Sequence, residues 1–171
     1  MKNILVVVDM QNDFRPSDDV VKRVVSKIEK YIANGSYIYL TMDSHNDKVY
    51  NKMLESRLYE KHCVYGTSGF ELIPEVGKAI ALHGVKSTVI YKSGFGSYEL
   101  ADRILRDCNA DDTIEICGVA TEVCVVSNAL MIRSVLYNHE IIVDHRAVGA
   151  IDEERGNAAL DVMRSCNITV I

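Results

Sequence analysis

Short apolar runs alternate with longer amphipathic ones from one end of the chain to the other. The runs ILVVVD (Ile4 to Asp9), SYIYLTM (Ser36 to Met42), STVIYK (Ser87 to Lys92), TIEICG (Thr113 to Gly118), EIIVD (Glu140 to Asp144) and NITVI (Asn167 to Ile171) are β-branched and nearly continuous in apolar character. Strands covered on both faces have this pattern. Between the first two runs, DDVVKRVVSKIEKYIANG (Asp18 to Gly35) sets Val21, Val24, Val25, Ile28 and Ile32 on one side and stops at a glycine suited to a helix C-cap. Helices are also expected over Pro74 to His83, Tyr98 to Arg106, Thr121 to Tyr137 and Asp152 to Ser165. Strands alternating with helices through right-handed crossovers predict an α/β fold. It is a three-layer α/β/α sandwich around a six-stranded, mostly parallel sheet, with the doubly wound order 3-2-1-4-5-6.

One segment breaks the rhythm. Residues 43 to 73 are rich in Asp, His, Lys, Tyr and Glu and weakly periodic, and so long a loop in a compact domain is usually functional or disordered. It is read as a functional insertion in a single domain spanning residues 1–171, because no repeat, low-complexity tract or linker marks a second one. Five scattered cysteines, with no secretory segment before them, argue for free thiols and a reducing cytoplasm. No apolar run approaches the ~18 residues of a membrane span. A net charge of −5 disfavours nucleic acid and anionic membrane as partners. A small molecule remains.

In open α/β sheets ligands bind beyond the carboxyl ends of the strands, near the point where strand order reverses. Strand exits deliver Asp9, Asp43 with His45, and Lys92, and the fourth exit, ICGVATEVCVV, leads to Cys124. Taken alone, Asp9 is an ordinary turn residue, Lys92 a solvated strand end and Cys124 a small buried apolar residue. Cys117, inside the strand, keeps that last reading. Acid, amine and thiol together are the parts of a thiol hydrolase: a helix N-terminus and an ammonium favour the thiolate, and a carboxylate can take the proton. The insertion adds a second constellation. His45 and His62 with Asp43 and Glu55 make a nitrogen and oxygen donor set suited to zinc, iron or manganese. Cys63 is a poor ligand candidate beside His62, and His83, His139 and His145 sit at no expected rim.

These residues together resemble the nicotinamidase branch of the isochorismatase-like cysteine hydrolases. The resemblance spans VVVDMQNDF, MDSH, ESRLYEKHCVYGTSGFEL, YKSGF and CGVATEVCV, and its weight lies in their order and spacing. It implies a catalytic triad of Asp9, Lys92 and Cys124, and one divalent metal, zinc foremost, on Asp43, His45 and His62, with Glu55 as a further carboxylate. It also implies a cis peptide before Ala120 and an oxyanion hole made by the N–H groups of Ala120 and Cys124. The activity implied is hydrolysis of nicotinamide, and of pyrazinamide, through a thioester. A related amidohydrolase acting on a carbamoyl or ureido compound without metal is the alternative. A homo-oligomer is expected, since family members often are. The chain departs from many nicotinamidases in lacking tryptophan: Ser44 and Asn46 follow the metal Asp, Tyr59 and Glu60 precede His62, and FGSY (Phe95 to Tyr98) follows the lysine. Phe14, Tyr59 and Phe95 would still offer aromatic walls to a flat ring.

Overall fold

Successive side chains of a strand point to opposite faces, so a run buried on both sides must feed two cores. In β1 (Asn3–Val8) Ile4, Val6 and Val8 enter one core, and Leu5 and Val7 enter the other. The computed structural model describes residues 3–81 and 87–171. In it β1 pairs in parallel with β2 (Tyr37–Asp43) and β4 (Thr113–Val119), β2 with β3 (Ser87–Lys92), β4 with β5 (Ile141–Gly149), and β5 with β6 (Thr169–Val170). The six strands run in the expected order β3-β2-β1-β4-β5-β6.

Helices α1 (Asp18–Ala33) and α2 (Pro74–Ala81) cover one face, and α3 (Tyr98–Asp107), α4 (Val126–Val135) and α5 (Glu153–Ser165) cover the other. Their starts follow from local chemistry. The side chains of Ser17, Ser97 and Asp152 accept the N–H of Val20, Leu100 and Arg155, satisfying groups that the first turn leaves unbonded. The expected face of α1 needs amending: Val21, Val24 and Ile28 are buried, but Val25 and Ile32 are half-buried, and Tyr31 takes the remaining core position. The end of α2 expected at His83 lies outside the described residues.

Three other expectations are refined. β5 does not stop at Asp144; after a register shift opposite Ile116 and Gly118 it continues to Gly149. A β-bulge of this kind bends a strand and re-aims its side chains, and it hid the continuation behind the polar pair His145 and Arg146. The single helix expected from Thr121 to Tyr137 is a π-type turn, Thr121–Val125, leading into α4. The insertion contains two short 3-10 turns, Tyr50–Lys52 and Leu54–Arg57. Gly118 is required where β4 passes β1: its φ is +115°, and a Cβ there would lie 2.1 Å from the Val8 carbonyl oxygen. That close approach brings the two exits flanking the switch point together. No helix among the described residues is long and apolar enough to cross a membrane.

Candidate active site and metal centre

β1 and β4 end side by side, one at Asp9 and the other in the turn that carries Cys124. Asp9 is fully buried in a left-handed conformation, φ +47°, that takes it out of the strand line. Lys92, at the end of β3, places its ammonium 2.7 Å from Asp9 Oδ2 and 3.4 Å from Cys124 Sγ. Asp9 Oδ1 accepts a 2.6 Å hydrogen bond from Thr41. Oδ2 carries the ion pair with Lys92, and Lys92 in turn reaches the Cys124 sulfur. The peptide bond between Val119 and Ala120 is cis. The Ala120 carbonyl accepts from the N–H of Val123 and Val125, at 3.1 and 3.0 Å, which coils the chain tightly before Cys124.

The electrostatics differ from the depressed thiol that a helix start beside an ammonium suggests. Burial, reinforced by the Asp9 carboxylate, pushes the Cys124 thiol well above its ordinary value, and Lys92 only opposes this. Burial also raises Asp9 against the pull of Lys92. The Lys92 ammonium, which burial alone would depress, is held above its usual value by Asp9 and Cys124. The Cys124 thiol thus lies beside an acid and an ammonium that are themselves paired, 2.7 Å apart.

Next to this trio, Asp43, His45, Glu55 and His62 each turn a donor atom inward, and the four atoms lie within 4.8 Å of one another. Asp43 Oδ2 is 2.9 Å from His45 Nε2 and 3.1 Å from His62 Nε2. Glu55 approaches the same imidazoles at 3.7 and 3.3 Å. His62 Nδ1 lies 2.7 Å from the Glu60 carbonyl, which can only accept, so that nitrogen donates and Nε2 is the one turned toward Asp43 and Glu55. Two imidazole nitrogens and two carboxylates crowded on one point are a donor set that a shared cation could take. Burial and the Asp43 carboxylate push Glu55 up, a second sign of excess negative charge. Nitrogen and oxygen donors at this spacing fit a divalent ion of the zinc, iron or manganese type. Lys92 also reaches Asp43, at 3.7 Å, linking the two groups.

A cavity of about 370 Å³ opens onto both clusters. Cys124, Ala120, Asp43, Glu55 and His62 line it, with Phe14, Tyr59 and Phe95 among its walls. Phe14 packs 4.9 Å from the His62 ring, and Tyr59 meets Phe95 edge-on at 6.1 Å. The residues expected to serve as triad, metal donors and aromatic walls thus lie together at these strand exits. Cys63 is buried but directs its N–H to Asp13, and His139 and His145 bond the carbonyls of Asn109 and Ile171. His83 lies outside the described residues.

Several contributors had no sequence signal. Val119, Val123, Ala150 and Ile151 complete the cavity wall. The buried Asn128 side chain donates to the carbonyls of Cys124 and Phe95 and accepts from the N–H of Ser97. Tyr50 sets its hydroxyl against the carbonyls of Tyr59 and Glu60 and against His62 Nδ1. Both read as ordinary helix or loop residues until their partners, distant in sequence, are in place.

A parallel sheet whose ligand cavity lies at the β1/β4 switch point, with a thiol, carboxylate and ammonium on its rim, defines a doubly wound α/β protein of the isochorismatase-like hydrolase fold. The chain belongs to the isochorismatase family, whose domain model matches residues 3–171. It is 28% identical over 172 aligned residues to a Bacillus subtilis (strain 168) protein described as an uncharacterized isochorismatase family protein, PncA, with 90% of each chain covered. It is also similar to the crystal structure of a Pyrococcus horikoshii pyrazinamidase in complex with zinc: TM-score 0.79, 28% identity, 100% of this chain and 99% of that one. The Streptococcus mutans UA159 pyrazinamidase/nicotinamidase shares the fold at TM-score 0.85, with 22% identity over 99% of this chain and 100% of that one.

Proposed function

We propose that the protein is a metal-dependent cysteine amidohydrolase that converts nicotinamide to nicotinic acid and ammonia, and accepts pyrazinamide, through a thioester on Cys124. The observation that carries this reading is the placement of the Lys92 ammonium 2.7 Å from Asp9 and 3.4 Å from the Cys124 sulfur, on the rim of an aromatic-walled cavity. Residues 43–73 act as the metal-binding insertion of a single domain. Asp43, His45, Glu55 and His62 would hold the ion, which when bound supplies a Lewis-acid contact for the ring nitrogen of the substrate.

Asp9 Oδ2 accepts the thiol proton as Sγ attacks the amide carbon. The oxyanion formed accepts hydrogen bonds from the N–H groups of Ala120 and Cys124, each such donor typically worth ~3 kcal/mol in related acyl transfers. As the C–N bond breaks, the protonated Asp9 delivers its proton to the leaving nitrogen and ammonia departs. Asp9, again a carboxylate, takes a proton from a water that attacks the thioester. The C–S bond then breaks, the acid leaves, and the proton returns to sulfur. Lys92 keeps Asp9 ionised and offsets the charge on sulfur. Phe14, Tyr59 and Phe95 flank the ring. Five free cysteines fit a reducing, cytoplasmic setting.

The metal-free alternative, an amidohydrolase for carbamoyl or ureido compounds, gives the four-donor cluster no task. Ammonia release from nicotinamide, pyrazinamide and N-carbamoyl compounds, measured with and without chelator, tests the proposal. Release from the first two that stops on chelation and returns with zinc is expected. Chelator-resistant release from the carbamoyl compounds alone would replace it.

A further inference from the structure

β1 and β2 deliver the two key acids, Asp9 and Asp43, and each strand also supplies a buried polar side chain that the chemistry does not consume. Both of these side chains reach across to the other strand. Thr41, on β2, accepts the Asp9 N–H at 3.2 Å with its hydroxyl oxygen and donates to Asp9 Oδ1 at 2.6 Å. Gln11, just past β1, accepts the Asp43 N–H at 2.7 Å through Oε1 and donates through Nε2 to the Asp43 carbonyl at 2.9 Å. The same Nε2 donates to the Phe70 carbonyl at 2.8 Å, tying the far end of the insertion to this point. Thr41 and Gln11 are both fully buried.

We propose that Thr41 and Gln11 are positioning residues forming a reciprocal lock across the β1 and β2 exits, Thr41 orienting Asp9 toward the thiol and Gln11 orienting Asp43 toward the metal. The inference rests on the hydrolytic reading above. Its physical content is that a carboxylate at a strand exit can rotate, and a buried hydroxyl has one proton to give. Thr41 gives it to Oδ1, so Oδ2 is the oxygen left for Lys92 and Cys124. Gln11 uses both ends of its amide to fix the main chain on each side of the Asp43 Cα, which sets the direction of that side chain.

The test is a set of four variants, each measured for kcat, KM, melting temperature and Co²⁺ affinity by visible absorption. Thr41→Val keeps shape and loses the donor. It should lower kcat about tenfold or more, the equivalent of one charged hydrogen bond, with KM and Co²⁺ affinity within about twofold of the parent. Thr41→Ser should recover most of the loss. Gln11→Met should weaken Co²⁺ binding by about tenfold, as loss of outer-sphere support does. A normal kcat in Thr41→Val, no rescue by Ser, or unchanged Co²⁺ affinity in Gln11→Met would each overturn the lock. Cys124→Ala separates the two levels. Turnover in that variant would sink the thiol mechanism and the Thr41 half of the lock with it, while the Co²⁺ titration would still decide the Gln11 half.

Discussion

Beneath α1, Lys27 meets Glu115 at 2.5 Å and Asp144 at 2.9 Å, Tyr31 donates to Glu115 at 2.6 Å, and Arg146 bonds Asp144 at 3.0 Å. Two cations face two carboxylates, and both Glu115 oxygens are engaged. At the strand exits, Asp9 and Asp43 share the Lys92 ammonium, Glu55 lies in the cluster with Asp43, and two imidazoles turn toward oxygen atoms. Asp9 Oδ2 rests on its ion pair with Lys92, and His45 Nδ1 lacks a hydrogen-bond partner among the described residues. One cluster closes on itself and fastens α1 to β4 and β5. The other is short of positive charge and of protons, and so is suited to take in a cation and to move a proton. Local rules broken without compensation mark functional sites, and here the same residue types obey those rules in one place and break them in the other.

The comparison breaks most plainly at Cys124. Cys124→Ala should reduce ammonia release by about a thousandfold or more, as removal of a nucleophile does elsewhere, and leave metal content unchanged. Cys117→Ala, in a thiol that burial pushes up and that stands outside the lining of the active-site cavity, should keep full turnover. Equal activity of the two variants would show that the exit cluster is no more reactive than the strand interior.

The closed cluster should answer to stability instead. Lys27→Met leaves Glu115 and Asp144 facing each other with less compensation, at a cost of about 3 kcal/mol, the lower end for a broken buried pair because Lys27 keeps some contact with solvent. Urea unfolding should detect the loss, while kcat per folded molecule stays at the parent value. Zinc should act on the other cluster. At about a hundredfold excess over Kd it should stabilise the protein by roughly 2.7 kcal/mol. That increment should vanish in His62→Ala and persist in Lys27→Met. A zinc shift that survives His62→Ala would move the metal elsewhere.

Much of this division was legible in the sequence because strand exits and apolar periodicity are local properties. The two-faced runs from Ile4 and from Thr113 announce central parallel strands, and acid, amine and thiol residues at successive exits announce a rim. Pairings between distant residues left no such trace. Lys27, Glu115 and Asp144 carry no local signal of pairing, since only the fold brings them under α1. Thr41 and Gln11 look like ordinary strand and turn residues for the same reason. A helix start and an ammonium can be read from the chain and favour the Cys124 thiolate, whereas the depth of burial that outweighs them cannot be read. The continuation of β5 past Asp144 was hidden by a bulge that no periodicity records.

Asp144 gives the smallest effect and the cleanest sign. Burial would raise its carboxyl, but Arg146 and Lys27 outweigh that and hold it well below the ordinary carboxylate range. An unfolded Asp titrates near 3.9. Above about pH 5 both states are ionised and the stabilisation from Asp144 is fully present. As pH falls through the unfolded value, the unfolded chain takes up the proton first, and the contribution drains away toward the lower folded value. Asp144→Asn cannot titrate. The stability difference between parent and variant should therefore be flat above pH 5 and shrink steadily below pH 4, as read from urea midpoints across that range. A difference that grew on acidification would mean that Asp144 is protonated more readily in the folded state, and the cluster under α1 would then resemble the strained one at the exits.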